Sequence, residues 1–346
     1  MATILDVAKL AGVSKTTVSR VINKNGPVSP KTRKRIEMAM EALNYTPNYF
    51  AQGMRTSRTR TIGMLIPDYS NPFYAQLFRY IEDVARRNGY MNIICNTNAE
   101  PERELEHIRE LVRRKIDGII FCTYKGVRDN IDYLMEISKD VPVVFMDHVV
   151  DDQPVSYVMT DGFGSSRKAA RYLIAKGRKR IAYIKGPSKH RVTHERFRGY
   201  RQALKDRDLE FDTKLVYEGD FHMKSGFVAA QYFMNQENPP DAIMAATDIM
   251  AIGALKYLKY KSFQVPDDVN VVGFDNIFLS SLVEPALTTI AQPLWDLGRE
   301  AMNILIERIE HPKTENKQLL LEGELIIRRS TDNTKPEILT FDQTYY

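Results

Sequence analysis

Lys15, Thr16, Thr17, Ser19 and Arg20 form one short run of small hydroxyls and flexible cations, side chains that donate to base edges and to phosphate oxygens. Val18, Val21 and Ile22 interleave with them at a spacing that predicts a helix with its apolar residues turned inward and those five left facing out. Ser14 stands where an N-cap would announce that helix, and Gly12 marks a tight turn before it. Residues 3–11 predict a preceding helix, with Thr3 as cap and Asp6 at capping-box spacing, which sets a carboxylate at the positive helix end. Two short helices around a tight turn, the second lined with polar and cationic groups, describe a helix-turn-helix that reads the major groove.

A second set of candidate residues follows a series of apolar runs. From Thr61 onward, runs at 62–66, 92–95, 118–122, 143–146, 181–184, 242–245 and 271–274 alternate with amphipathic stretches at 74–88, 101–114, 128–138, 162–176, 195–206, 225–235 and 248–260. Repeated βαβ units predict parallel sheets covered on both faces. Ligands of such sheets lie beyond the carboxyl ends of the strands, so the polar and aromatic residues there are the candidates. They are Asp68, Asn71 and Phe73 after the first run, then Asp147, Asp161, Arg196, Phe221, Asp248 and Asp275, with Gln292 near a chain crossing. A guanidinium and several carboxylates beside phenyl faces suit a polyhydroxylated or otherwise polar small molecule, because each hydroxyl both donates and accepts. The same carboxylates could simply cap the helices that follow, and the phenyl rings could be core.

The residues from Asp6 to Asn23, with Val7, Ala8, Ala11, Gly12, Val13, Ser14, Thr17, Val18, Ser19, Arg20, Val21 and Ile22 in place, resemble the head of the lactose-repressor (LacI/GalR) family of bacterial transcription regulators. The similarity continues through 28–33 and 43–48 and along most of the chain to about residue 330. The implied fold is α/β: an all-α helix-turn-helix headpiece (1–46), a hinge (47–59) and a two-lobed domain like a periplasmic binding protein with parallel sheets (60–330). Its N-lobe would hold about 60–160 and 292–320, its C-lobe about 161–291 and 321–330, with 331–346 a polar tail. DNA contacts then extend to Thr3, Ser14, Asn23, Thr32, Tyr45 and Asn48, and to Ala51, Met54 and Arg55 in a hinge that enters the minor groove, Met54 standing where many relatives carry leucine. Phe73 matches the position that packs on the ligand, and the motifs around Arg196 and Asp275 match those of ligand contacts. At His190, Val192, Thr193 and His194, where relatives read their own ligands, the residues follow no one member.

The resemblance implies a homodimer on a near-palindromic double-stranded DNA operator, most simply a repressor of carbohydrate-utilisation genes. A sugar, sugar acid or sugar phosphate in the cleft would control its operator affinity. An alternative within the family is control by a phosphocarrier protein. Asp296, Gly298, Ala301 and Met302 match that branch's docking helix, but Asn303 replaces its arginine. A free sugar-binding protein is the alternative from another class, and the headpiece opposes it.

Composition agrees with the DNA reading. Residues 1–60 hold 11 Lys and Arg against 3 Asp and Glu, whereas the remainder holds 38 against 41, so the net +5 is concentrated at the N-terminal end. Lys31, Arg33, Lys34 and Arg35 contribute to it at the start of a third helix, capped by Ser29 with Pro30 first. Cys95 and Cys122 both lie in apolar runs, which points to buried thiols and a reducing, cytoplasmic setting. No run has the length of a membrane span and no signal pattern opens the chain. Gly162 and Gly164 begin like a dinucleotide fingerprint without its third glycine, and His190 and His194 lack metal-ligand partners. No cofactor, metal or catalytic apparatus is expected.

Overall fold

A computed structural model of the chain describes residues 2–22, 25–46, 58–122, 127–146, 154–188 and 190–335. The first unit ends at Arg60. Its helices are α1 (Ile4–Ala11), α2 (Lys15–Ile22) and α3 (Pro30–Ala42). Thr3 and Asp6 complete the capping box on α1, and Gly12 ends that helix in the left-handed region at φ 60°, where the missing Cβ removes the penalty. Val7, Ala8, Ala11, Val18, Val21, Ile36 and Ala39 are buried together as its core. Arg35 donates to the carbonyl of Gly12 at 3.3 Å, tying α3 to the turn.

The second unit starts at Thr61 and is built on two six-stranded sheets. The chain first lays down β1 (Thr61–Ile66), α4 (Pro72–Arg87), β2 (Met91–Asn96), α5 (Pro101–Arg113), β3 (Gly118–Phe121), α6 (Val127–Ile137), β4 (Val143–Met146) and β5 (Ser156–Thr160). It then crosses to a second series: α7 (Gly162–Ala175), β6 (Ile181–Lys185), α8 (Arg191–Lys205), β7 (Val216–Glu218), α9 (Met223–Met234), β8 (Ala242–Ala245), α10 (Asp248–Tyr260), β9 (Asn270–Asp275), α11 (Leu279–Leu282) and β10 (Thr288–Ala291). After β10 it returns with α12 (Leu294–Glu310) and β11 (Gln318–Leu321) to the first sheet, and ends with β12 (Glu324–Ile326) in the second. The orders are β11-β5-β4-β3-β1-β2 and β12-β10-β9-β8-β6-β7.

Central strands such as β3, β4 and β8 are buried at every residue, which is why they read in sequence as unbroken apolar runs. The sheets are not wholly parallel as expected: β12 runs antiparallel to β10, because a two-residue link from β11 delivers it from the other lobe. Helix α8 starts one turn before its expected position, and Thr331, assigned to the tail by sequence, is buried with its hydroxyl 2.7 Å from that of Thr288. No helix among the described residues is long and apolar enough to cross a membrane.

Helices α9 and α10 meet where side chains are absent. A Cβ on Gly226 would overlap the backbone oxygen of Met250, and one on Gly253 would overlap that of Met223. Backbone cannot step aside as a flexible side chain does, so Gly226→Ala is expected to destabilise the second unit by about 1–3 kcal/mol. The midpoint of urea unfolding should fall accordingly; an unchanged midpoint would show that the two helices separate freely.

Candidate functional site

Lys15, Thr16 and Arg20 are exposed on α2, as a groove-reading face requires. Ser14 caps the helix by accepting from the amide of Thr17 at 3.1 Å, which holds the half-buried Thr17 hydroxyl 2.9 Å away. Ser19 is a correction: it is buried, because α2 is packed by both α1 and α3 and its inner face is wide enough to include a small hydroxyl beside Val18. Thr3 caps α1, and its hydroxyl is committed to Asp6 at 2.7 Å. Thr32 is half-buried, its amide bonded to the hydroxyl of Ser29, and Tyr45 packs against the headpiece core. Asn23, Asn48, Ala51, Met54 and Arg55, with Asp147, lie outside the described residues.

The second constellation converges on a cleft of about 150 Å³, room for one ring-sized molecule. The loop after β1 supplies Asp68 and Asn71, the first turn of α4 supplies Phe73, and α8 supplies Arg196. Phe221 comes from the loop after β7, and Asp275 from the end of β9. Asn71 caps α4 through the amide of Phe73 (3.0 Å), and the Phe73 ring meets Tyr74 edge-on at 5.0 Å. Phe221 stacks on His190 with centroids 6.0 Å apart. The loop carrying His190 is pinned by Glu218, which accepts from the amide and hydroxyl of Ser188. Lys185 at 2.8 Å, with Ser188, holds the Glu218 carboxyl down to about 2.

Arg196 and Asp275 are both buried, with Nη1 3.5 Å from Oδ1. Nη1 also donates to the carbonyl of Ala246 at 2.6 Å, and the guanidinium lies over Phe274, 3.8 Å from the ring centroid. Gln292 stands behind Asp275, donating to Oδ1 at 2.7 Å, and its own Oε1 accepts from Thr160 at 2.6 Å. Thr160 ends β5 of the first sheet and Asp275 ends β9 of the second, so one amide joins the two lobes at the chain crossing. Strained backbone gathers here: Phe221 has φ 67°, Asp275 φ 120° and Asn276 φ 54°.

Three expected contacts do not line this cleft: Gln292, which stands behind Asp275, and Asp248 and Asp161. The residue that caps α10 is Thr247, accepting from the amide of Met250, and this turns Asp248 inward. Asp248 accepts from Thr289 (2.5 Å), the amide of Ile277 (2.9 Å) and Ser280 (2.9 Å), and complete burial pushes its carboxyl up to about 6. Asp161 caps α7 through the amide of Gly164 and lines a separate cavity of about 80 Å³ with Arg191 and Glu195. Ser70, Tyr74, His222, Met223, Thr247 and Ile249 line the main cleft without having been singled out in sequence. Treating every residue between a strand end and the next helix as a candidate would have found Ser70, His222 and Thr247; Tyr74, Met223 and Ile249 lie in the first turns of the helices themselves.

Residues 59–329 match the model of the periplasmic binding proteins and sugar binding domain of the LacI family, and residues 3–48 match that of the bacterial regulatory proteins of the lacI family. The chain belongs to the LacI family. It is 36% identical over 335 residues to the HTH-type transcriptional repressor PurR of Actinobacillus pleuropneumoniae serotype 3, covering 96% of this chain and 99% of that one. The Lac repressor dimer bound to operator and the anti-inducer ONPF superposes with a TM-score of 0.85 at 29% identity, covering 95% of this chain and 99% of that one. The complex of the transcriptional regulator CelR with cellobiose gives 0.73 at 32% identity, covering 95% and 100%. The chain is therefore a DNA-binding transcription regulator with an effector-binding domain.

Exchanging Lys15 or Thr16 for alanine should alter operator preference at particular positions, at about 1–3 kcal/mol per contacted base pair. Selection from randomised DNA duplexes with each variant would show it, and an unchanged consensus from both would remove the assignment. For Asp248 the sign of the pH effect follows from a native acid that keeps its proton to about pH 6 where the unfolded chain releases it near 3.8. The native state then binds more protons within that window, so this group's contribution to stability falls as pH rises through it. Asp248→Asn removes the dependence. Between pH 4 and pH 7 its stability relative to the unmodified chain should gain on the order of 1–3 kcal/mol in urea titrations.

Proposed function

We propose that this chain works as a homodimeric cytoplasmic repressor whose operator affinity is set by a carbohydrate-like effector in the cleft, with effector binding releasing DNA. The observation that carries this reading is the Arg196–Asp275 pair at the cleft, joined through Gln292 to Thr160 of the other lobe. A ligand that engages the pair acts on a group to which both lobes are bonded, so its binding energy depends on how the lobes are set. DNA favours one setting and effector the other, and each then weakens the other's binding reciprocally. The Lac repressor structure holds a dimer on its operator, and the CelR structure holds cellobiose, which supports both halves of the proposal. A single headpiece with an eight-residue reading helix offers little specific contact, so paired headpieces on a near-palindromic site are expected. Control by a phosphocarrier protein has less support, because the exposed Asn303 on α12 offers no guanidinium for bidentate contact.

Operator titration with and without effector tests the proposal, after the effector has been found by the rise in Tm it causes. Arg196→Ala should weaken effector binding by about 2–3 kcal/mol, because it leaves polar groups unpaired in a desolvated cleft. Operator affinity without effector should stay unchanged. An Arg196→Ala protein that binds effector normally would dismiss the cleft, and a monomer by sedimentation that still bound a half-site tightly would dismiss the dimer.

A further inference from the structure

Arg196 spends Nη1 on the Ala246 carbonyl and on Asp275. Its Nε has no hydrogen-bond partner among the described residues, and neither do the hydroxyls of Ser166 and Tyr183. Arg196 is 4% exposed and the other two side chains are wholly buried, so water from outside does not reach these atoms. A buried donor left in that state carries the full cost of its desolvation, and native interiors rarely leave one unserved.

The three groups come from elements that pack at backbone distance. A Cβ on Gly162 of α7 would stand 3.2 Å from Cγ of Arg196, and one on Gly199 of α8 would overlap the carbonyl oxygen of Phe163. Ser166 lies one turn beyond Gly162, on the same side of α7. Tyr183 lies on β6, its ring stacked on Tyr200 of α8 with centroids 4.7 Å apart and tilted against Phe197 at 5.5 Å. These ring contacts hold its hydroxyl in place. Tyr200, one turn after Arg196, already donates to the carbonyl of Ile181 at 2.7 Å. Burial pushes the pKa of the Tyr183 phenol up, and the Arg196 guanidinium and the Ser166 hydroxyl both oppose that rise, as groups beside it do. Nε–H only donates, whereas each hydroxyl donates and accepts, so a molecule that accepts twice and donates once satisfies all three. Water does this, and buried waters make about three hydrogen bonds.

We infer that one buried water joins Arg196 Nε, the Tyr183 hydroxyl and the Ser166 hydroxyl, which makes Tyr183 and Ser166 positioning residues for the guanidinium at the cleft. The water accepts from Nε and from Tyr183 and donates to Ser166. Arg196 is then fixed twice, by Ala246 and Asp275 at Nη1 and from within the lobe at Nε. The bearing on effector binding rests on the cleft reading above, but the test uses the full chain without effector, so either can fail while the other stands. A crystal structure that resolves ordered water should show one molecule within about 3.2 Å of all three atoms. Direct bonds among the three, or no water between them, overturn the inference. Stability gives an independent sign: removing an idle buried hydroxyl leaves Tm unchanged or raises it, whereas Tyr183→Phe and Ser166→Ala should each lower Tm by about 2–4 °C. Arg196→Lys keeps the charge opposite Asp275 but has no Nε–H, and in that background both losses should shrink by at least about half. Equal losses in the two backgrounds mean that the hydroxyls serve packing alone and overturn the positioning role. The Nε–H resonance of Arg196, identified as the signal that Arg196→Lys removes, should exchange with solvent roughly tenfold faster in Tyr183→Phe. A resonance that neither hydroxyl variant shifts or speeds overturns the inference as well.

Discussion

The buried ion pair of Arg196 and Asp275 is the interaction on which the cleft depends. Two charges removed from water cost several kcal/mol each unless geometry and further hydrogen bonds compensate. Compensation here comes from neighbouring groups, though Arg196 Nε is buried with no hydrogen-bond partner among the described residues. The Ala246 carbonyl and the Phe274 face serve the guanidinium, and the Gln292 amide serves the carboxylate. The five residues come from four segments: Arg196 from α8, Ala246 from just after β8, Phe274 and Asp275 from β9, and Gln292 from the crossing after β10. The pair thus requires four neighbouring segments of the second lobe to end at the same place. Residues with left-handed φ at Asp275 and Asn276 cost about 1–3 kcal/mol each, and they persist only where the surroundings over-determine them. Arg328 supplies part of that constraint, donating to Asn276 Oδ1 at 2.7 Å and to the carbonyl of Leu287 at 2.8 Å.

The three chain crossings, at Asp161, at 292–293 and at 322–323, connect lobes that otherwise hold separate sheets. Each crossing is fastened by a side chain close to it. Asp161 caps α7, Gln292 bridges Thr160 and Asp275, and the amide of Gly323 donates to Ser165 at 3.1 Å. The amide of Gln292 is the crossing group in direct contact with the cleft wall, so it is the point where ligand chemistry and lobe setting meet.

Legibility in sequence followed local determinism. The helix-turn-helix was readable because a capping box, a left-handed glycine and an apolar spacing are encoded within about twenty residues, and the fully buried parallel strands were readable as apolar runs. The strands β5, β7, β10, β11 and β12 are not evident in sequence because they are short or carry Ser156, Thr288 and Thr289, hydroxyls whose burial is settled by distant partners such as Thr331 and Asp248. Asp248 was misplaced for a similar reason. A one-residue shift of the N-cap to Thr247 rotates the next side chain by about 100°, from cleft to interior. Ser19 shows the limit of helical periodicity, since a helix packed on two sides buries more than one stripe. Arg196, Phe73 and Asp275 were recoverable because they follow strand ends and match family motifs. The bond that ties Asp275 to the opposite lobe through Gln292 spans 17 residues to one side and 132 to the other, and no local pattern announces it.

Charge is handled in opposite ways at the two working surfaces. The headpiece keeps its cations exposed, where they act over the distance of the ionic atmosphere on a polyanion. In the cleft Arg196 and Asp275 are buried and paired, and Asp68 alone among its described charged residues is half-buried. The Gln292 amide bonds Asp275 of one lobe and Thr160 of the other, so any change in the buried pair is a change in a bond between the lobes.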